Sequence, residues 1–498
     1  MSVAKGINQR RAKPMKTSLL ATLVSLSFIP MSSVADTGDL LNTFVSNGTT
    51  SVVLLNHGKT TEKYFRDPTN DVDGMERQYE WGQSVGLFLR SGKVPMFDNA
   101  VKFSANIGYS YMFKLAASYP GDVHNWNYGE KIFISEDCYW SGGEPGKGQY
   151  KCNEASGYGK LPMANVQLNW GTNRSQSGLA IIGDGFFNSG MITSATDDDA
   201  LLSSYRGIMA QQSYNGYIFD GAYVIGFMGG NEDSMGDLSG GSNYYNPNPL
   251  TYDSLYTFRV RKKFDEPGGY QIAYGEAKDY LRRFHTSAYY TLGLTPQTNL
   301  FMQAQYYYNH KAGDLWDEDV AKGQASYDKY ASALSYEFRL NYDAWQLLYG
   351  FSKINAPRAG STGAFSYGFG NAKGYLKLPT GGNYHGFRRD GEEAMVVGAK
   401  YDFRHLGLQD MSFAYGYHWG KAPVKSKYTG NIEYGREEEH ALTFGYAPRT
   451  GKLRGLTISL KQAFYRPDET LGQLQPGDIS EKADKTATKL IASYMFRL

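Results

Sequence analysis

No apolar run in this chain approaches the roughly 20 residues that a membrane-crossing helix needs, so helical spans are excluded. Cysteine is nearly missing, with two residues in 498, and proline is held to 17. Those shortages exclude a disulfide-stapled scaffold and a collagen-like chain. The eight histidines contain no H-E-x-x-H, so the metalloprotease signature is missing too. Excess charge is also lacking: the formal net charge is +2. The N-terminal 35 residues hold five of the 51 Lys and Arg and none of the 49 Asp and Glu, so residues 36–498 carry a formal −3. A basic nucleic-acid binder is thereby excluded.

What is present begins with Lys5, Arg10, Arg11, Lys13 and Lys16, followed by an apolar stretch from Leu19 to Ile29 and the small residues Ser33-Val34-Ala35. This pattern predicts a cleavable secretory signal over residues 1–35, too short to span as a helix, with Met15 as a second candidate start. The remainder, 36–498, would ordinarily suggest two or three soluble domains. Its composition argues otherwise: 41 Tyr, 58 Gly, 15% aromatic residues and a mean hydropathy of −0.49.

The stretch from Val101 shows why. Val101, Phe103, Ala105, Ile107, Tyr109, Tyr111, Phe113 and Leu115 share one face; Lys102, Ser104, Asn106, Gly108, Ser110 and Lys114 share the other, with Met112 the exception. Period-two alternation of this kind is a strand with one dry and one wet side. It recurs along the chain, and with weaker segments near Ser51, Gly178 and Gly207 the count is about eighteen strands. Connections alternate long and short, as in outer-membrane barrels with long outer loops and short periplasmic turns; one short outer hairpin joins Gln271–Ala277 to Arg283–Leu294. A soluble propeller would show a blade repeat, and none is visible. The expected fold is therefore all-β: a single transmembrane antiparallel barrel over 36–498, with Trp81, Trp170, Trp345 and Trp419 placed as an interfacial girdle.

Eighteen strands enclose a lumen too wide for side chains to fill. A loop folded inward would narrow it. The segment I-I-G-D-G-F-F-N-S-G-M-I-T-S-A-T-D-D-D-A-L-L-S-S-Y-R after the fifth strand mixes apolar anchors with Asp184, Asp197, Asp198, Asp199, Ser203 and Tyr205. It suits either a lumen loop or a solvated outer loop. Thr257, Arg259, Arg261 and Lys263 alternate with Tyr256, Phe258 and Val260; cations on the lipid side at mid-bilayer would cost roughly 2–4 kcal/mol each, so they should face the lumen. Arg283, Arg339, Lys400, Lys461 and Lys489 share that register, giving a basic track that attracts carboxylates and zwitterions or simply keeps the wall wetted.

Other patterns carry less. Thr69 to Glu80 fits an EF-hand loop except that Thr69 replaces the first Asp, and it reads as a turn. Gly82 to Gly86 matches G-x-S-x-G, but Ser84 falls inside an expected strand and not at a strand-to-helix elbow. No Ser, His and acid group can be assigned to one site, so no enzyme, cofactor or metal is expected. Cys138 and Cys152 share one long outer loop of an exported chain, where pairing is expected.

The stretches A-Y-G-E-A-K-D-Y-L-R-R-F-H-T-S-A-Y-Y (Ala273 to Tyr290), V-V-G-A-K-Y-D-F-R-H-L-G-L-Q-D-M-S-F-A-Y-G-Y (Val396 to Tyr417) and R-G-L-T-I-S-L-K-Q-A-F-Y resemble the OprD-type outer-membrane porins, including the chitoporin branch. The similarity runs in order over most of the chain and is diffuse before Ala164. The resemblance implies an 18-stranded barrel, monomeric or a homotrimer, with an inward third loop and a basic ladder on its wall. It also implies passive, substrate-preferring diffusion of amino acids or carboxylates, with chito-oligosaccharides as the alternative cargo. Inward Phe301, Tyr289, Tyr307 and Tyr465 are candidate sugar platforms. Expected partners are the bilayer, lipopolysaccharide, small solutes and, through the C-terminal strand, the barrel-assembly machinery. A barrel enzyme, or an adhesin or phage receptor using the loop from Asn355 to Gly391, is the reading from another class.

Overall fold

The computed structural model describes residues 47–67, 72–118, 132–133, 139–140, 150–151, 156–171, 175–195, 200–240, 249–263, 267–359, 362–374, 377–425, 430–468, 470–471 and 484–498. The expected signal segment 1–35, the Asp197–Asp199 acids and the Cys138–Cys152 pair lie outside the described residues.

Eighteen strands form the wall: β1 (Thr49–Asp67), β2 (Val72–Arg90), β3 (Val101–Ala117), β4 (Tyr158–Trp170), β5 (Gly178–Gly185), β6 (Ser204–Tyr214), β7 (Tyr217–Met228), β8 (Leu255–Lys263) and β9 (Gly268–Ala277). They continue as β10 (Leu281–Thr295), β11 (Thr298–Lys311), β12 (Tyr330–Tyr342), β13 (Trp345–Asn355), β14 (Glu393–Asp402), β15 (Met411–Lys425), β16 (Ile432–Tyr446), β17 (Leu456–Pro467) and β18 (Asp484–Arg497). Every strand pairs antiparallel with its sequence neighbours, and β1 pairs with β18 from Ser51↔Arg497 to Tyr64↔Asp484. The sheet is closed, so no edge is left unpaired in lipid.

Alternation sets which face is which. On β3, Ile107, Tyr109 and Phe113 point outward and are 47–50% exposed, whereas Ser104 and Ser110 point inward and are at most 5% exposed. Met112, the apolar exception on the wet face, is fully buried against Ile132, Phe133 and Tyr158. Its partners come from the long connection after β3 and from the base of β4.

Trp345 opens β13 and Trp170 closes β4, both at the short-turn end of the barrel. Trp81 and Trp419 lie midway along β2 and β15 and not near a strand end as expected, although Trp81 is level with Ala116, next to the last residue of β3. The reason is strand length: β1 and β2 run 19 residues each and β8 only nine. The extra residues of this hairpin extend it past the shorter wall at the long-loop end. Ser84 sits within β2 opposite Leu55 and Met112, which leaves no nucleophile elbow.

The long connections at one end are L2 (118–157), L3 (186–203), L4 (229–254), L6 (312–329, containing helix α1, Asp314–Ala321) and L7 (356–392). In outer-membrane barrels that end faces outward. L5, at 278–280, is the short hairpin expected between β9 and β10. The apolar core lies inside the lumen. Phe187 and Ile192 of L3, Leu238 of L4, Trp316 of α1, and Phe365 and Phe369 of L7 pack on one another and on Tyr205, Val224 and Tyr307 of the wall.

Candidate functional site

Asp220 is where the wall takes hold of L3. It interrupts the apolar run of β7, points inward, and is 2% exposed. Its carboxylate accepts from Gly190 N (2.6 Å), Ser189 Oγ (3.3 Å) and Arg259 Nε (3.1 Å), and pairs with Arg261 Nη2 at 3.1 Å. Next to it, Met191 N donates to Thr257 Oγ1 at 2.7 Å. The tip of L3 can lie this close because residue 190 is glycine: φ is +58°, and a Cβ there would stand 2.2 Å from Thr257 Oγ1.

L3 is in turn joined to L7. The Tyr205 hydroxyl donates to Thr193 O (3.0 Å) and accepts from Lys373 N (3.1 Å), and Thr193 N donates to Lys373 O (3.2 Å). Arg283 holds the next stretch of L7, donating through Nη2 to the carbonyls of Ser366 and Gly368, both at 2.7 Å, with its guanidinium 4.7 Å from the Phe369 ring. The returning limb of L7 meets two carboxylates of β16. Glu439 accepts from the backbone N–H groups of Asn383 (2.6 Å), Tyr384 (3.2 Å) and His385 (2.7 Å). Glu437 pairs with Arg389, takes His385 Nε2 at 3.1 Å, and accepts the Tyr465 hydroxyl. Glu392, fully buried beside them, has its carboxyl held well above the usual carboxylate range by desolvation and the adjoining Glu437 charge. L3 and L7 together narrow the lumen from the long-loop end.

The expected site residues therefore divide. Arg259 and Arg283 face inward but are buried under L3 and L7 as anchors, and so do not stand on an open track. Arg261 shares Asp220 and keeps about a third of its side chain exposed. Lys263 ends β8 opposite Gly269, and its side chain lies outside the described residues. Arg339 stacks 4.0 Å over Phe301 and pairs with Glu337 at 2.5 Å. Lys400 is exposed near the short-turn end, opposite Gln346 and Ala414. Asp184 belongs to β5 and not to the loop; it takes Arg206 in a bidentate pair at 2.7 and 2.8 Å. Ser203 is buried at the base of L3, its N–H on Ser194 O.

A denser set of cations lies half a turn round the barrel. Register puts Lys59 of β1 opposite Lys489 of β18, and Lys489 opposite Lys461 of β17. Four residues further along the same inward faces, Lys63 lies opposite Lys485. Lys485 Nζ is 5.3 Å from the Tyr384 ring of L7 and 5.6 Å from Tyr465. Lys461 and Lys489 follow from alternation alone. Lys59, Lys63 and Lys485 become visible only once β1 is paired to β18.

The family model described as "outer membrane porin, OprD family" matches residues 167–498. The chain belongs to the OprD family of outer-membrane porins. Solved structures of similar fold include Pseudomonas aeruginosa OccK9 (OpdG), at 17% identity and a TM-score of 0.67, covering 91% of this chain and 100% of that one. Acinetobacter baumannii OccAB1 matches at 13% identity and a TM-score of 0.69, covering 91% and 98%. Pseudomonas aeruginosa OpdK, in a structure with vanillate, matches at 16% identity and a TM-score of 0.65, covering 91% and 100%. No curated protein sequence matches the chain. The 18-stranded barrel expected from the sequence is that of this fold, and L3 lies inward as the resemblance implied.

Proposed function

We propose that this OprD-family porin passes small charged or zwitterionic nutrients, amino acids and carboxylates, by passive diffusion, and favours them over neutral solutes of equal size. The observation that carries the reading is the column formed by Lys59, Lys63 and Lys461, half-buried on the inward faces of β1 and β17, with Lys485 and Lys489 of β18 between them at most 6% exposed, beside a lumen narrowed by L3 and L7. Cations gathered along a low-dielectric wall raise the local concentration of the opposite sign beside it. Vanillate, seen with the OpdK neighbour, is a carboxylate of the class such a column would draw.

A chito-oligosaccharide is the second reading. It is favoured by the stack of Tyr289 on Phe301 (5.9 Å) and Arg339 on Phe301 (4.0 Å), a flat inward platform near the short-turn end. Export through the signal at 1–35, assembly directed by the C-terminal strand, and a monomeric or trimeric state in the outer membrane complete the reading.

In planar bilayers the folded protein should give discrete conductance steps, and Lys461→Gln with Lys489→Gln should shift its selectivity towards cations. Absence of steps from a heat-modifiable preparation counts against the porin. Steps with unaltered selectivity would remove the lysine column from the account.

A further inference from the structure

Between L3 and the short-turn end, the inward faces of four adjoining strands meet at one level. Register puts Lys102 of β3 opposite Asn169 of β4, Asn169 opposite Leu179 of β5, and Leu179 opposite Gln211 of β6. Gln211 in turn stands opposite Asp220, so the row ends beside the anchor that holds the L3 tip. Adjacent strands lie about 4.8 Å apart, which makes the row roughly 14 Å long. With Lys93 of the β2–β3 connection, these residues line a cavity of about 330 Å³. Small-molecule sites occupy about 300–1,000 Å³.

The charge of this cavity has one sign. Lys93 and Lys102 are exposed and make no ion pair among the described residues. Arg90, inward on β2 opposite Asn106, adds a third cation two inward positions further up β3. No carboxylate lines the cavity among the described residues. Asp98 is exposed at the tip of the same connection and outside the lining, and Asp220 is already taken by Arg259 and Arg261. Asn169 Oδ1 accepts from Gln167 Nε2 at 2.9 Å, while its buried Nδ2 finds no acceptor among the described residues. Leu179 breaks the pattern of the wall: β5 reads G-L-A-I-I-G-D-G, and Leu179 and Ile181 put apolar side chains on its inward face, packed along the lumen core.

We infer that this cavity is a separate binding site for organic monocarboxylates, at which the solute pauses after passing L3. The carboxylate lies between the Lys93 and Lys102 ammonium groups, and the Asn169 amide, turned towards the cavity, supplies a third donor. The apolar body of the acid covers Leu179, and the Gln211 amide meets a polar substituent at its far end. A bare inorganic anion leaves Leu179 uncovered, and a neutral solute leaves both ammonium groups without an opposing charge. Exposed lysines hold the acid loosely, as conduction requires, since a site in a channel must release what it takes. The inference rests on the lumen being a path for carboxylates, and adds the place on that path where apolar acids are told from other anions.

The test uses the full, folded protein in neutral detergent. Ligand-observed fluorine NMR gives the affinity for 4-fluorobenzoate, and crystals soaked in 4-bromobenzoate locate the bromine by its anomalous scattering. The bromine should lie in the cavity beside Leu179. K93Q/K102Q should weaken 4-fluorobenzoate by about 20-fold, up to about fivefold for each exposed ammonium, and empty the cavity of bromine. L179S should weaken 4-fluorobenzoate and leave acetate binding as in the parent. K452Q, which removes a cation of the same barrel end on the β16–β17 turn, should bind as the parent does. Should the double variant fail to fold, K102Q alone carries the test with about a fivefold loss. Bromine absent from the cavity, equal affinity of K93Q/K102Q and parent, equal binding of neutral 4-fluorobenzamide, or displacement by inorganic phosphate at matched concentration overturns the proposal. Each such result leaves the selectivity shift of Lys461→Gln with Lys489→Gln standing, and with it the carboxylate path. Loss of that shift with bromine still in the cavity would remove the lysine column and keep this site.

Discussion

A single carboxylate decides whether L3 stays in the lumen. Asp220 balances two guanidinium groups and takes two donors from the loop tip, so its replacement by Asn removes the charge that it sets against the buried Arg259. Breaking a buried ion cluster from one side costs roughly 3–5 kcal/mol, far more than the cluster's net worth against apolar isosteres. That cost falls on the loop, because the wall of β7 keeps its backbone ladders to β6 and β8 whatever stands at 220. Asp220→Asn should therefore raise single-channel conductance and broaden its distribution while the barrel stays heat-modifiable. Replacing the pair together, Asp220→Leu with Arg259→Met, should return conductance towards the parent value. If Asp220→Asn matches wild type, L3 is held by something other than this hub. Nothing in Y-I-F-D-G-A-Y announces the role, since one acid in an alternating strand fits solvent as well as a loop anchor.

At the scale of one element, L7 is docked through chemistry that titrates. The buried Glu392 carboxyl faces Glu437 of β16 and Arg389 of its own loop, and Glu437 also faces His385. A raised carboxyl is protonated in the docked loop at pH values where a free one is ionised. The docked state thus binds more protons, and its advantage is complete below the ordinary carboxylate range and lost as pH rises through the raised value. L7 should loosen with rising pH, read as growing open-channel noise, and Glu392→Gln should flatten that dependence by fixing the neutral form. A variant that keeps the full pH response would place the titrating group elsewhere. The loop's inward position was not legible beforehand. Its length, glycines and aromatics fit an exposed receptor loop equally well, and what fixes it inside is Glu439 meeting backbone N–H groups 54 to 56 residues earlier. Strands differ in kind: a two-residue period is local, and it reveals both the element and the face that each side chain takes.

For the whole molecule, closure is the condition on which lumen, column and loops all depend, and it falls to the last strand. β18 pairs with β17 on one side and with β1 on the other. Leu490 and Lys489 show the same division of faces as every other strand, the first outward and the second 6% exposed. Period-two reading finds that division but not the partner. Joining the two ends of a chain is a matter of barrel size and shear, and the Lys59–Lys489–Lys461 row stays hidden until the ends meet. Deleting 484–498 would leave the facing edges of β1 and β17 with unpaired N–H and C=O groups in hydrocarbon, each costing several kcal/mol. No side-chain gain elsewhere offsets a whole strand of such groups. The truncated chain should give no heat-modifiable band and no conductance, whereas Leu490→Ala, which trims only the lipid face, should give both. A truncated chain that still inserts and conducts would mean that a seventeen-stranded wall can close without β18.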